Sequence, residues 1–81
     1  IIKESEINIY PNPVNNELII DIGRSESVID VSICDQTGKI IMKKTNIYSP
    51  AAIDLSELIS GLYIIHIKTG NEIITSRIIK E

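Results

Sequence analysis

The chain has no Trp and no Phe, and only three Tyr, one His, one Met and one Cys among its 81 residues. Without aromatic faces there is almost no platform on which sugars or unpaired bases could stack, so recognition of either by stacking is a poor fit. Cys34 has no partner for an internal disulfide, and the fold must stand on packing alone. No second ligand lies at metal-like spacing from Cys34 or His66, so a zinc site is not expected. Cys34, in the strand-like run VSICD, is expected to be a buried thiol, and His66, in IIHIK, to face solvent or a sheet partner. Positive charge is also sparse. The net charge is -3, with Lys and Arg scattered singly apart from Lys43–Lys44, so no basic stripe is expected and nucleic acid is not an expected partner. Apolar runs reach only three or four residues, far below the ~20 that span a bilayer as a helix, and no charged-then-apolar leader opens the sequence. Because the chain begins at Ile, it is expected to be a segment of a longer protein whose leader, if any, lies upstream.

What the sequence does have is isoleucine. Twenty-one of the 81 residues are Ile, a β-branched type that suits pleated, half-buried surfaces and loses rotamer freedom in helices, so the composition points to an all-β fold. The length allows one domain, residues 1–81, near the size where burial only just outweighs chain entropy. Apolar and polar residues alternate at period two, with turn formers between the blocks at intervals of roughly 8–12 residues. Seven strands are predicted, near 4–10, 17–22, 28–34, 39–44, 52–55, 62–68 and 72–80, in a seven-stranded immunoglobulin-like antiparallel sandwich. Leu18, Ile20 and Ile22 share one face of the second, and Ile29, Val31 and Ile33 one face of the third, with Asp30 and Ser32 opposite. The fourth alternates Lys39, Ile41 and Lys43 against Ile40 and Met42, with TNIYSP as a linker after it. The sixth, GLYIIHI, is the most apolar and is expected to be central with both faces covered. In DQTG, Asp35 and Gly38 fit a tight hairpin, the carboxylate bonding back to the main chain and the glycine supplying a positive φ. Ser56 is expected to cap one helical turn that Gly61 ends, and Gly70 and Asn71 to turn the chain into the last strand.

Groups that could converge for catalysis are missing. Ser56 and Ser60 lack a nucleophile-elbow context, Asp21, Asp30, Asp54 and Glu57 sit on separate blocks, and the four glycines are spread singly rather than in a phosphate-binding loop. The sequence reads as a non-enzyme that needs no cofactor.

A different signal comes from YPNPV. Each proline lacks an amide hydrogen and fixes its own φ, and Pro13 drives Asn12 out of the α region, so the stretch is a rigid kink that cannot continue a ladder. It ends one strand and sends the chain to the other sheet. YPNPV near the start, then DQTGK, then IDLSELISGLYIIHI, then RIIKE at the end, in this order over about residues 7–81, resemble the C-terminal sorting domain of proteins exported by the type IX (Por) secretion system. Each piece alone is common; the four together are far more specific.

The resemblance implies a secretion signal on the C-terminal side of a larger cargo, carried through the inner membrane by an ordinary leader and recognised in the periplasm by the outer-membrane translocon. A sortase-like surface protease is then expected to remove it, just upstream of the domain or within Ile1–Ser5. The cargo is left at the cell surface, in many relatives joined to anionic lipopolysaccharide, or outside the cell. By position, Tyr10, Pro11, Asn12 and Pro13 match the first family motif, Asp35, Gly38 and Lys39 the hairpin, and Leu58, Gly61 and Tyr63 the L-x-x-G-x-Y segment. Ile78, Ile79 and Lys80 match the terminal motif. Gly38 and Gly61 are expected to be backbone requirements, and Leu58 and Tyr63 core. A terminal edge strand exposes unpaired main chain that a partner can extend. Arg77, Ile78, Ile79, Lys80 and Glu81 are therefore the expected translocon contact, and a dimer or strand swap is expected when the domain is isolated.

Two other readings share this fold: a structural or adhesive immunoglobulin-like module that binds protein or glycan in the mature cargo, and an accessory domain that stabilises a catalytic neighbour. An adhesive module persists in the secreted form and a sorting signal does not; loss of an accessory domain abolishes activity, whereas loss of a signal only misplaces it.

Overall fold

The computed structural model describes residues 7–23 and 28–81; the start of the first predicted strand and the cut expected within Ile1–Ser5 lie outside the described residues. Seven strands follow in order: β1 Asn8–Tyr10, β2 Glu17–Asp21, β3 Val28–Cys34, β4 Ile40–Tyr48, β5 Ala51–Asp54, β6 Gly61–Thr69 and β7 Glu72–Lys80. They form a three-stranded sheet, β1-β2-β5, and a four-stranded sheet, β4-β3-β6-β7, with every strand pair antiparallel. Period-two alternation turns one face of each sheet inward. Leu18 and Ile20 from β2, Ile29, Val31 and Ile33 from β3, Ile53 from β5, and Ile65 and Ile67 from β6 are buried together with Ile22, Leu55 and Ile78.

The proline corner does what its chemistry requires. Ile9 pairs with Ile20 in the three-stranded sheet, and after Pro11 and Pro13 the chain reappears at Val14, bridged in parallel to Lys80 of the four-stranded sheet. Both X–Pro bonds of the corner are cis. Val14 is fully buried, so the crossing is anchored in the core.

Four expectations need correction. β4 runs on through TNIY to Tyr48 because a bulge absorbs the irregularity. Ile29 pairs with Ile47 and Val31 with Lys44, which sets Thr45 and Asn46 against Asp30 alone. Asn46 takes φ 54°, a conformation Asn tolerates, and its amide donates to Asp30 Oδ1 at 2.9 Å. A second register shift, between Ile33–Met42 and Cys34–Ile40, breaks the predicted alternation of β4, so Ile41 and Met42 both pack on the core while Ile40 is exposed. No helical turn forms at 56–60; Leu55 is buried and donates to Asn16 O at 2.6 Å, which commits the segment to the sandwich, and a simple turn from Leu55 to Leu58 follows. Gly61 accordingly opens β6 at φ 159°, close to extended, rather than ending a helix. Finally, β6 is central in hydrogen bonding, but its outer face is not covered: Leu62, Ile64 and His66 are only half-buried.

Candidate recognition surface

The β3–β4 hairpin is built on one carboxylate oxygen. Asp35 Oδ1 accepts from Thr37 N at 2.9 Å, Thr37 Oγ1 at 2.6 Å and Lys39 N at 3.1 Å. Asp35 O accepts from Gly38 N, and Asp35 N donates to Lys39 O, both at 3.0 Å. Gly38 takes φ 89°, as the turn requires. The Thr37 hydroxyl, above the other donors, holds the Asp35 carboxyl below its ordinary value of 3.8, against a smaller opposing desolvation. The loop between β5 and β6 repeats the device. Asp54 Oδ1 accepts from Ser56 N at 2.9 Å, and the Ser56 hydroxyl and amide lower the Asp54 carboxyl; the side chain that organises this turn is Asp54, not the predicted Ser56. Leu58 N donates to Leu55 O at 3.0 Å and Tyr63 Oη to Ile59 O at 2.6 Å. Tyr63 is buried in the core, as expected, whereas Leu58 is only half-buried against it.

The two loops lie side by side, lining one open hollow of about 210 Å³ with Asp35, Gln36, Thr37 and residues 59–63. The terminal motif joins them through β6: Gly61 pairs with Lys80, Leu62 with Ile79, Tyr63 with Ile78 and Ile64 with Arg77. On the other side of β7 lies the proline corner. Asn12 Nδ2 donates to Arg77 O at 3.2 Å, and Asn12 Oδ1 accepts from Ile79 N at 3.0 Å. Val14 N donates to Ile79 O and Val14 O accepts from Glu81 N, both at 2.8 Å. All four sequence motifs therefore collect at one end of the sandwich, whose long dimension is 32 Å. Residue 7 sits toward the opposite end, since Asn8 pairs with Asp21 and Tyr10 with Ile19.

This geometry corrects the expectation of an open terminal edge. From Arg77 O to Glu81 N the outward main chain of β7 is occupied by Asn12 and Val14, so RIIKE offers little backbone for strand addition, self-association or swapping. Earlier on β7, Ile74, Thr75 and Ser76 line a small hollow together with Ile7 and Ile9. Within the terminal motif only some side chains are displayed. Ile78 and Lys80 are buried, Lys80 Nζ donating to Glu81 O at 2.8 Å, while Arg77, Ile79 and Glu81 are exposed.

What is exposed has a pattern that sequence reading missed. One straight cross-strand row runs Ile40, Cys34, Ile64, Arg77, and the next pairs Leu62 with Ile79. Ile40 and Ile79 are about half exposed and Ile59, on the adjoining loop, is 81 % exposed. The outer face of the four-stranded sheet thus carries an aliphatic patch at the motif end, with the Arg77 guanidinium at its border. Cys34 is buried within that row, and His66 Nδ1 lies 3.1 Å from Thr75 Oγ1 across β6 and β7, the sheet partner expected of it. Of the predicted site residues, Tyr10 stands apart on the three-stranded sheet, half exposed, and Pro11 and Pro13 are exposed.

Residues 8–81 match the family described as the secretion system C-terminal sorting domain. No curated protein matches the sequence. Among solved structures, PorZ is similar, with TM-score 0.69 and 17% identity over 96% of this chain. It is described as an essential bacterial surface component of the type-IX secretion system of human oral-microbiomic Porphyromonas gingivalis. At that identity the likeness carries the fold alone, and this chain spans 12% of the PorZ chain.

Proposed function

Because the chain belongs to the secretion system C-terminal sorting domain family, whose members are type IX sorting signals, we propose that it is a non-catalytic address on a larger exported protein, read by the outer-membrane translocon through side chains at the motif end. The observation that carries this reading is the convergence of the four motifs on one end of the sandwich, with the main chain of the terminal motif already satisfied and Arg77 and Ile79 projecting outward. A partner meeting this surface finds an aliphatic patch, Leu62, Ile64 and Ile79, bordered by a guanidinium. That chemistry fits an apolar protein surface with a carboxylate at its edge.

The cargo attaches on the N-terminal side. Ile7 lies toward the end opposite the motifs, so removal of the domain by a sortase-like surface protease upstream of it would leave the motif end intact while the cargo is released at the cell surface or outside the cell. The displayed residues at the motif end are aliphatics and turn formers beside the Arg77 guanidinium, with Cys34 buried and His66 bonded to Thr75, which supports display rather than catalysis.

The test fuses residues 1–81 behind an exported reporter in a host with a type IX system and introduces R77E with I79S. Both sites are exposed, so the domain stays folded by circular dichroism, and reporter in the medium falls at least roughly tenfold, as losing an interface anchor of about 1.4 kcal/mol or more predicts. Normal secretion of the folded double variant would end this reading of the surface. Intact-mass analysis of the secreted parent separates a removed signal from a retained adhesive module.

A further inference from the structure

The hydrogen bonds along the outer side of β7 fall in an ordered series. Reading toward the C-terminus, Arg77 O and Ile79 N go to the Asn12 side chain, and Ile79 O and Glu81 N go to the Val14 main chain. A neighbouring strand would satisfy all four with main-chain groups. Here the two nearer Arg77 are met by the Asn12 side chain instead, at the kink that Pro11 and Pro13 impose on either side of it. A primary carboxamide carries its donor and its acceptor on separate atoms, N–H and C=O, as a peptide group does, and Asn12 uses one of each. It stands in for a peptide group at the point where the chain crosses between sheets.

We infer that Asn12 is a positioning residue of the sorting signal. Its carboxamide extends the four-stranded sheet by one surrogate residue and fixes the last turn of backbone of β7, so that Arg77 and Ile79 stand in register with Ile64 and Leu62. The inference rests on the motif end being the recognised surface, but its structural half stands independently. It assigns the Asn of the proline corner a task different from that of its neighbours: the prolines turn the chain, and the carboxamide locks a strand 65 and 67 residues away.

Two measurements test it on the full 81-residue chain and on the reporter fusion. In N12A, hydrogen exchange at the Ile79 amide quickens by roughly tenfold or more, as expected when an exposed bond is lost and the strand end frays, while the central Ile65 and Ile67 amides change far less. N12D keeps the acceptor for Ile79 N but sets a carboxylate oxygen, which cannot donate, against Arg77 O, so Ile79 exchange falls between the native and N12A rates. Export of the N12A fusion falls, while I53V, a core change in the three-stranded sheet, lowers stability without lowering export. Unchanged Ile79 exchange in N12A overturns the lock. Faster exchange with export equal to that of I53V overturns its role in the signal. Should R77E with I79S also be exported normally, the surface reading has failed, and the exchange data alone decide whether the lock exists.

Discussion

Asp35 shows how much one short side chain can organise when its partners are close along the chain. Three donors converge on its Oδ1 from residues two and four positions on, and charge-assisted bonds of this kind favour the ionised form. With its folded-state value lowered below 3.8, Asp35 contributes stability that is present above that value and is lost as pH falls through the lower folded-state value. D35N cannot ionise, so its urea midpoint should change less with acidification below pH 3.8 than that of the native chain; parallel curves would contradict this. The role of Asp35 was legible in DQTGK because every bond in it is local. Asn12 also bonds main chain through its side chain, but its partners lie 65 and 67 residues away, and nothing in YPNPV announces them. Sequence pattern revealed the kink and not the lock.

The existence and type of the strands were legible because isoleucine spacing reports which face is buried, and that face is a property of the strand by itself. Strand ends were not, since they depend on what the neighbouring strand offers. β4 continues through Asn46 only because Asp30, on the adjacent strand, supplies an acceptor for the amide in the bulge. D30A removes that acceptor, and the expected loss is about 1 kcal/mol, with faster amide exchange confined to residues 45–48; a loss spread evenly over β4 would argue against the bulge as the cause. The same bulge disturbs an edge strand that already carries Lys43 and Lys44, a combination that discourages pairing with other chains. β6 was misjudged for a related reason. GLYIIHI is apolar enough for a strand covered on both faces, yet Leu62 and Ile64 stand half exposed on its outer side. Hydrophobicity that a fold would place inside is here partly displayed, in keeping with the partner-facing surface proposed above.

At the scale of the molecule, the terminal strand belongs both to the core and to the surface, and the two roles come apart only residue by residue. Ile78 is fully buried, Gly61 to Ile64 pair with Lys80 to Arg77, and Val14 leans on Ile79 and Glu81. Truncating a buried Ile to Ala costs about 2–5 kcal/mol, against a total of about 5 kcal/mol for a domain of marginal size. Removing residues 77–81 deletes that side chain, the end of a strand and the partner of the proline corner together. The deletion should therefore unfold the domain, visible as loss of the cooperative urea transition, and any export defect it causes would report unfolding as much as recognition. I78A should lie between the native chain and the deletion in stability, and R77E with I79S close to the native chain. Of these three variants, only the double surface variant should lose export while keeping its transition. A deletion that retained a native-like transition would mean that the terminal strand is an appendage rather than a structural member, and would restore the open-edge mode of recognition that the Asn12 and Val14 hydrogen bonds now argue against.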